Sequence, residues 1–474
     1  MECSLPGPTL AGVLTLLLLA PAGPPGHRQE PEPVVLRYAG VTNLRRGQGE
    51  AGRQQQVVDL SDSVYVVQGE QHVLADRASY VRIQDQVRLW GNVRGWDGVW
   101  RFRADEVIYR GNDRTLLARG RVEAENLQDG SRLKADQFFQ DRNTGEGRAS
   151  GHPWLYQPPA DSTASATEVS GAETARIDFR RDQGWAELTG GGVVRRGEMV
   201  VYGAWLRSLD EPRILTVREG VRLERKGIEA TGDQLVWDED SGLARLNGSP
   251  PLLTRLDERA VGSPDSVWIR MKADSIDLHL PGDVLESIHL FGPGEVTIIT
   301  RPGPGSTMAG PDSTLVPAVP EHMVLVGREI DLSIQEEELR YLTAGRGAMY
   351  YWRQDHPDRS SAMGGLILDI LFEGGQPSVV TATGNATSRF FQSMVDPGSD
   401  MIRALGTLIR LTLMDGELKE AHLEKGSLTK YSAVLLEAGG VPMAVHPDSV
   451  QVGAARPPAG RGAREAKPPG RPPP

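Results

Sequence analysis

Five aspartates recur at matching places along this chain. Asp76, Asp105, Asp136 and Asp274 each follow an alanine, and Asp233 follows Gly232. Carboxylates stacked in register on neighbouring strands have two chemical uses: hard-oxygen ligation of calcium, and paired acid and base work on a glycosidic bond. Both uses work against the repulsion of like charges placed side by side. Aspartate also closes strand ends and turns through local hydrogen bonds, and that structural role is the one expected here. The run Asp238-Glu239-Asp240-Ser241-Gly242 reads as an ordinary acidic turn.

Other chemistry is sparse. No lysine follows a glycine, so the Gly-Lys-Ser/Thr core of a phosphate loop is missing. No Gly-x-Ser-x-Gly or His-Glu-x-x-His occurs. The nine histidines are scattered, and the closest pair, His279 and His289, falls on different predicted strands. The single cysteine, Cys3, precedes the apolar run of the N-terminus, so a processed chain would carry no thiol for a disulfide, a zinc site or a nucleophile. The expectation is a protein without catalytic residues, metal or cofactor.

The elements that carry the aspartates are strands. Val87, Leu89, Gly91 and Val93 alternate with Arg88, Asn92 and Arg94; Leu116, Ala118, Gly120, Val122 and Ala124 alternate with Arg119, Arg121, Glu123 and Glu125. Ile288, Leu290, Gly292, Gly294, Val296 and Ile298 continue the pattern, as do Val380, Ala382, Gly384 and Ala386. A period of two with one apolar parity marks strands with one buried face. A glycine sits on the apolar parity in each case, within phrases such as Gly91-Asn92-Val93, Gly120-Arg121-Val122 and Gly294-Glu295-Val296. A strand-interior glycine costs packing, so its recurrence predicts a bend or bulge at the same place in successive strands. The spacing is about 30 residues early in the chain and longer later, which predicts paired strands with variable loops.

Composition sets further bounds. A net charge of −11 lacks the basic footprint of a nucleic-acid binder. With 55 glycines and 33 prolines the chain suits many short strands joined by turns. An apolar run at residues 10–20, followed by Ala20-Pro21-Ala22, reads as a cleavable secretory signal over residues 1–22, although residues 1–9 hold Glu2 and no Lys or Arg. β repeats are expected over 34–157, a linker or long loop over 158–170, and a second β segment over 171–300. A Pro/Gly-rich loop over 301–321, a third β segment over 322–432 and a disordered Pro/Gly/Arg-rich tail over 433–474 complete the division.

The stretch Val73-Leu-Ala-Asp-Arg-Ala-Ser-Tyr80 with Val87-Arg-Leu-Trp-Gly-Asn-Val93 resembles the OstA-type (organic-solvent-tolerance) domain of lipopolysaccharide transport. Trp100-Arg-Phe-Arg-Ala-Asp-Glu-Val-Ile-Tyr109, Leu116 to Val122 and Leu133-Lys-Ala-Asp136 extend the phrase. The resemblance is good over 57–157 and recurs weakly over 170–431. It implies an all-β, elongated stack of curved antiparallel strands (a β-jellyroll or V shape) that binds lipopolysaccharide or similar acyl chains in the periplasm, associates with the outer membrane, and joins other envelope transport proteins end to end. The chain is far longer than a single-domain bridge of that family and lacks the amphipathic strands of an outer-membrane barrel. Under this reading Leu89, Val93, Leu116, Ala118, Val122, Leu290, Val296 and Ile298 line a lipid groove; sealed core packing is the alternative for each. Two other functions fit the sequence: a structural or adhesive cell-surface β-repeat protein without lipid, and a carbohydrate-active β-helix enzyme using the recurrent acids.

Overall fold

The computed structural model describes residues 35–48, 54–68, 70–159, 165–180, 183–209, 211–258, 266–301, 307–309, 315–317, 321–353, 359–374, 376–392, 400–414 and 417–431. The predicted signal segment and the predicted tail lie outside these residues. Among the described residues the chain is all-β, with two single-turn 3₁₀ elements and no α-helix. Thirty strands form one antiparallel system, and Thr307–Ala309 and Leu315–Pro317 form a separate hairpin.

Most long strands are bent in the middle. Gln86–Trp96 pairs with Trp100–Arg110 as Trp90 to Glu106 and then Val93 to Ala104, so Gly91 and Asn92 stand opposite Asp105 alone. Thr115–Asn126 does the same against Arg132–Asp141, where Gly120 and Arg121 face Asp136. Two residues against one is a β-bulge, which bends the strand and steepens its twist. Equivalent breaks in register recur at Thr189/Gly192, Tyr202/Trp205, Arg218/Val221, Phe291/Gly294 and Thr383/Ala386. Aligned bulges crease the sheet into two arms that meet along a spine.

Past the first bent strands the arms are carried by separate short strands as well. Residues 137–141 pair with Glu146–Ser150 on the first arm, and residues 132–134 pair with Trp154–Gln157 on the second. Arg176–Arg180 and Thr167–Gly171 extend the two arms, and both rejoin on Trp185–Arg196. The pairing runs through both predicted breaks. Trp154–Gln157 bonds directly to Thr167–Gly171 across the first, and Ser287–Arg301 bonds to Glu321–Gln335 across the second. The strands on either side of the first break are thus paired directly, Thr167–Gly171 begins inside the predicted linker, and the described strands of the three predicted β segments belong to one antiparallel system.

The apolar parity of both arms is buried in a single hydrophobic cluster running from Leu60 to Leu413. Val64, Leu235, Leu246, Leu290, Leu342 and Ala382 have no exposed surface. Burial of this kind, at about 25 cal/mol per Å² of apolar surface, is what makes a crease worth its cost in strand bonding.

Candidate functional site

The crease is built by one recurring device. Gly91, Gly120, Gly151 and Gly384 have φ of +80°, +71°, +72° and +73°, and the residue after each is also left-handed: Asn92, Arg121, His152 and Asn385. The aspartate of the preceding strand covers the first three glycines. A Cβ built on Gly91, Gly120 or Gly151 would lie 2.5, 2.4 or 2.4 Å from Oδ2 of Asp76, Asp105 or Asp136. The same carboxylate binds the residue after the glycine. Asn92 Nδ2 donates to Asp76 at 2.9 Å, Arg121 Nη2 to Asp105 at 2.6 Å, and His152 Nδ1 lies 3.3 Å from Asp136. Ser249 Oγ donates to Asp233 at 3.2 Å, at the same sequence separation of 16 residues. Asp274 covers Gly292, whose successor is a proline.

The recurrent acids are therefore spread along the spine, four of them bonded to the residue after their glycine. The Arg121 hydrogen bond holds the Asp105 carboxyl below its usual range. Among the described residues no group of three or more His, Cys, Asp or Glu is placed to hold a metal ion. Two details differ from the sequence expectation. The bend near Gly294 falls at Gly292-Pro293, because Gly292 carries the positive φ; a further bulge falls at Gly190 and Gly191. The bulge glycines also do not face the core: the left-handed turn swings them toward the exposed aspartates, while their neighbours Leu89 and Val93 stay inside.

All eight sequence-predicted groove residues lie inside the fold. Leu89, Val93, Leu116, Ala118, Val122, Leu290, Val296 and Ile298 are each at most 8% exposed. They belong to the one hydrophobic cluster that both arms share. Leu116, Ala118 and Val122 do border a crevice, together with Trp100, Leu133 and Phe138 from the two arms. Its volume of about 30 Å³ has room for a water or two and not for an acyl chain.

Compared with known proteins, the chain matches no family model and no curated sequence. The OstA-type resemblance accordingly rests on the residues of the phrase alone, and function must be argued from the geometry.

Opposite the spine, the free edges of the arms touch. Arg196, at the end of its strand on the second arm, reaches Glu239 on the first at 3.0 Å, and its guanidinium lies over the Trp237 ring at 5.2 Å. Further along, the buried Arg255 of the second arm donates to the Glu337 carbonyl in a turn of the first. These lips had no signature in the sequence. Glu239 reads in the sequence as part of an ordinary acidic turn, and nothing in its spacing connects it to Arg196.

Burial pushes the Glu239 carboxyl above its ordinary value of 4.5, against the opposing pull of Arg196 and Arg213. A carboxyl raised in the fold favours folding while protonated; that contribution is complete below the unfolded value and lost as pH rises through the folded one. The stability of Glu239→Gln relative to the parent is therefore expected to increase with pH across that window. Paired denaturant titrations at several pH values measure it, and a pH-independent difference would show that the buried carboxylate carries no such penalty.

Proposed function

We propose that this protein is a non-enzymatic lipid-binding or bridging protein of the cell envelope, holding acyl chains between its two arms. One observation carries the reading. Among the described residues the apolar interior runs unbroken along the stack, the arms are joined by backbone pairing only at the spine, and on the opposite side polar contacts such as Arg196 with Glu239 and Arg255 with Glu337 link them. Such an interior exchanges sealed packing for bound chains when the lips part. Each CH₂ taken from water contributes about 0.8 kcal/mol, with no directional chemistry needed. The two ends of the stack support a bridging role. Among the described residues Val41–Gln48 pairs only with Gln54–Gln68, and Glu417–Glu424 only with Met401–Met414. Leu36, Tyr38, Val41 and Leu44 are exposed on the first strands, with Leu405 and Met414 exposed at the other end. Unpaired edges bearing apolar side chains suit strand addition by a neighbouring protein. Lipopolysaccharide-type lipid, periplasmic location and outer-membrane delivery enter this proposal through the resemblance.

The closed core favours a second reading, a structural or adhesive stack without lipid. Organic extraction of the purified protein followed by mass spectrometry separates the two. Co-purifying acyl lipid is expected, together with lipid adducts from a diazirine-bearing leucine analogue at Leu116 and none from a photoreactive residue at the outward Arg119. Lipid-free extracts and no adduct at Leu116 would establish the structural reading.

A further inference from the structure

On the outer face of the second arm, side chains of adjacent strands stand in two rows. Leu74, Arg94, Arg103, Glu123, Lys134 and Trp154 lie side by side in the first, and His72, Trp96, Arg101, Glu125, Arg132 and Tyr156 in the second. Their strand neighbours Val93, Ala104, Val122, Leu133 and Ala135 are buried, so the rows point away from the core. From Leu74 and Trp96 at one end to Arg132 and Lys134 at the other, the rows line one elongated hollow of about 670 Å³, within the size range of small-molecule sites. The hollow crosses five strands. At about 4.8 Å between strands, that makes it roughly 19 Å long.

Five cations and two carboxylates face this hollow. Arg103 pairs with Glu123 at 2.6 Å, and Arg101 and Arg132 both reach Glu125. Among the described residues Arg94 is exposed and has no acidic partner, while Lys134 lies over the Trp154 ring at 5.1 Å. The hollow is therefore cationic on a chain whose net charge is −11. Its Trp96 end is aromatic. Tyr65, His72 and Trp96 hold their ring planes within 13° of one another, Tyr65 Oη lies 2.7 Å from His72 Nδ1, and Trp96 is 36% exposed. Trp90, Trp154, Trp185, Trp205, Trp237 and Trp268 each lie under a lysine or arginine. Among the described residues no cation lies over Trp96; His72 covers one side of its ring, and the other side turns to the hollow. An electron-rich indole face attracts positively polarised C–H groups, a free guanidinium attracts an anion, and paired charged side chains hydrogen-bond hydroxyls. An oligosaccharide bearing carboxylates offers all three partners.

We propose that this hollow binds an acidic oligosaccharide. One sugar ring lies on Trp96, its carboxylate meets Arg94, and further hydroxyls run along the paired arginines and glutamates. Arg94 and Trp96 stand two residues apart on one strand and so share a face, which puts the stacking surface and the free cation side by side. A chain fits better than a single sugar, because the hollow extends over five strands. The site lies on the outer face, away from the apolar interior, and stands or falls apart from the lipid reading.

Isothermal titration of the purified full chain with trigalacturonate, neutral maltotriose and monomeric galacturonate tests the site. Trigalacturonate is expected to bind about tenfold more tightly than either of the others, and more weakly as salt is raised. Arg94→Ala breaks no ion pair and is expected to bring trigalacturonate down to the maltotriose level. Trp96→Ala is expected to weaken both trisaccharides about tenfold. Trp185→Ala removes a cation-covered tryptophan on the first arm and is expected to leave every affinity within about twofold. Circular dichroism checks the strands of each variant. Equal binding of trigalacturonate and maltotriose by the parent, no binding of either, or trigalacturonate affinity unchanged in Arg94→Ala and Trp96→Ala would overturn the site. Tighter binding of a thymidine oligonucleotide than of trigalacturonate, lost in Trp96→Ala, would make the hollow a nucleic-acid site and overturn the saccharide assignment. Each outcome is independent of whether acyl lipid co-purifies.

Discussion

Gly120→Val is expected to cost the fold about 3 kcal/mol. Two causes add. Gly120 holds φ +71°, a region that β-branched residues almost never occupy. A Cβ there would also stand 2.4 Å from Asp105 Oδ2 and 2.8 Å from its Cβ. The two causes separate in a cycle. Asp105→Ala removes the carboxylate from the contact, so Gly120→Val in that background recovers part of the loss, while the backbone term stays. Asp105→Ala alone is expected to be mild, because its pair with Arg121 is solvent-exposed and such pairs contribute little. Gly98→Ala is the control: that glycine has open space around its missing Cβ and no positive φ, and no measurable loss is expected. Because a stack is held by contacts between neighbours, the damage should be local. Hydrogen exchange would rise first in Trp100–Arg110 and Arg132–Asp141, the strands flanking the bulge, and protection around Leu342 would persist. Uniform loss of protection along the chain would show instead that the stack unfolds as one cooperative unit.

The cycle also shows which parts of the architecture the sequence exposes. Alternation around Leu89 and Val93, and around Leu116 and Val122, reports strands with one buried face because side-chain direction in a strand depends only on local parity. The bend was legible too, since a glycine in a strand needs a reason. What escaped was the partner of each bend. Asp76, Asp105, Asp136 and Asp233 bind Asn92, Arg121, His152 and Ser249, four residue types that share only the capacity to hydrogen-bond. A constant separation of 16 was present in the sequence, but a motif search by residue type passes over it. The bulge expected at Gly294 was displaced by two residues for a related reason: neighbouring glycines offer more than one place to turn, and the register of the partner strand decides between them. Contacts between the arms were not legible at all. Arg196 meets Glu239, and Arg255 meets Glu337, only because a crease elsewhere folds one arm over the other. Whether the apolar parity faces an opening or a sealed interior is set by those contacts, not by the pattern of any strand.

Under the proposed function, tying the lips together is expected to slow lipid uptake about tenfold or more, the largest functional effect that proposal predicts. The crevice bordered by Leu116, Ala118 and Val122 holds about 30 Å³, so a chain enters only after the arms separate. Separation must break the Arg196 contacts with Glu239 and Trp237, and the Arg255 bond to the Glu337 carbonyl. A ligand shifts such an equilibrium by its differential affinity for the open state, which here is the burial of its chain. With Cys3 replaced by serine, the double variant Arg196→Cys/Glu239→Cys carries only the two introduced thiols. A short bis-maleimide across them prevents opening at that level, whereas each single-cysteine variant treated with the same reagent remains free to open. Uptake of a fluorescent acyl probe should then fall in the bridged double variant alone. The unbridged double variant, having lost the clasp, should load faster than the parent. Loading of the bridged protein at the parent rate would place lipid entry away from these lips. If the parent itself takes up no probe and yields no extracted lipid, the sealed core is the functional state and the stack serves as a scaffold.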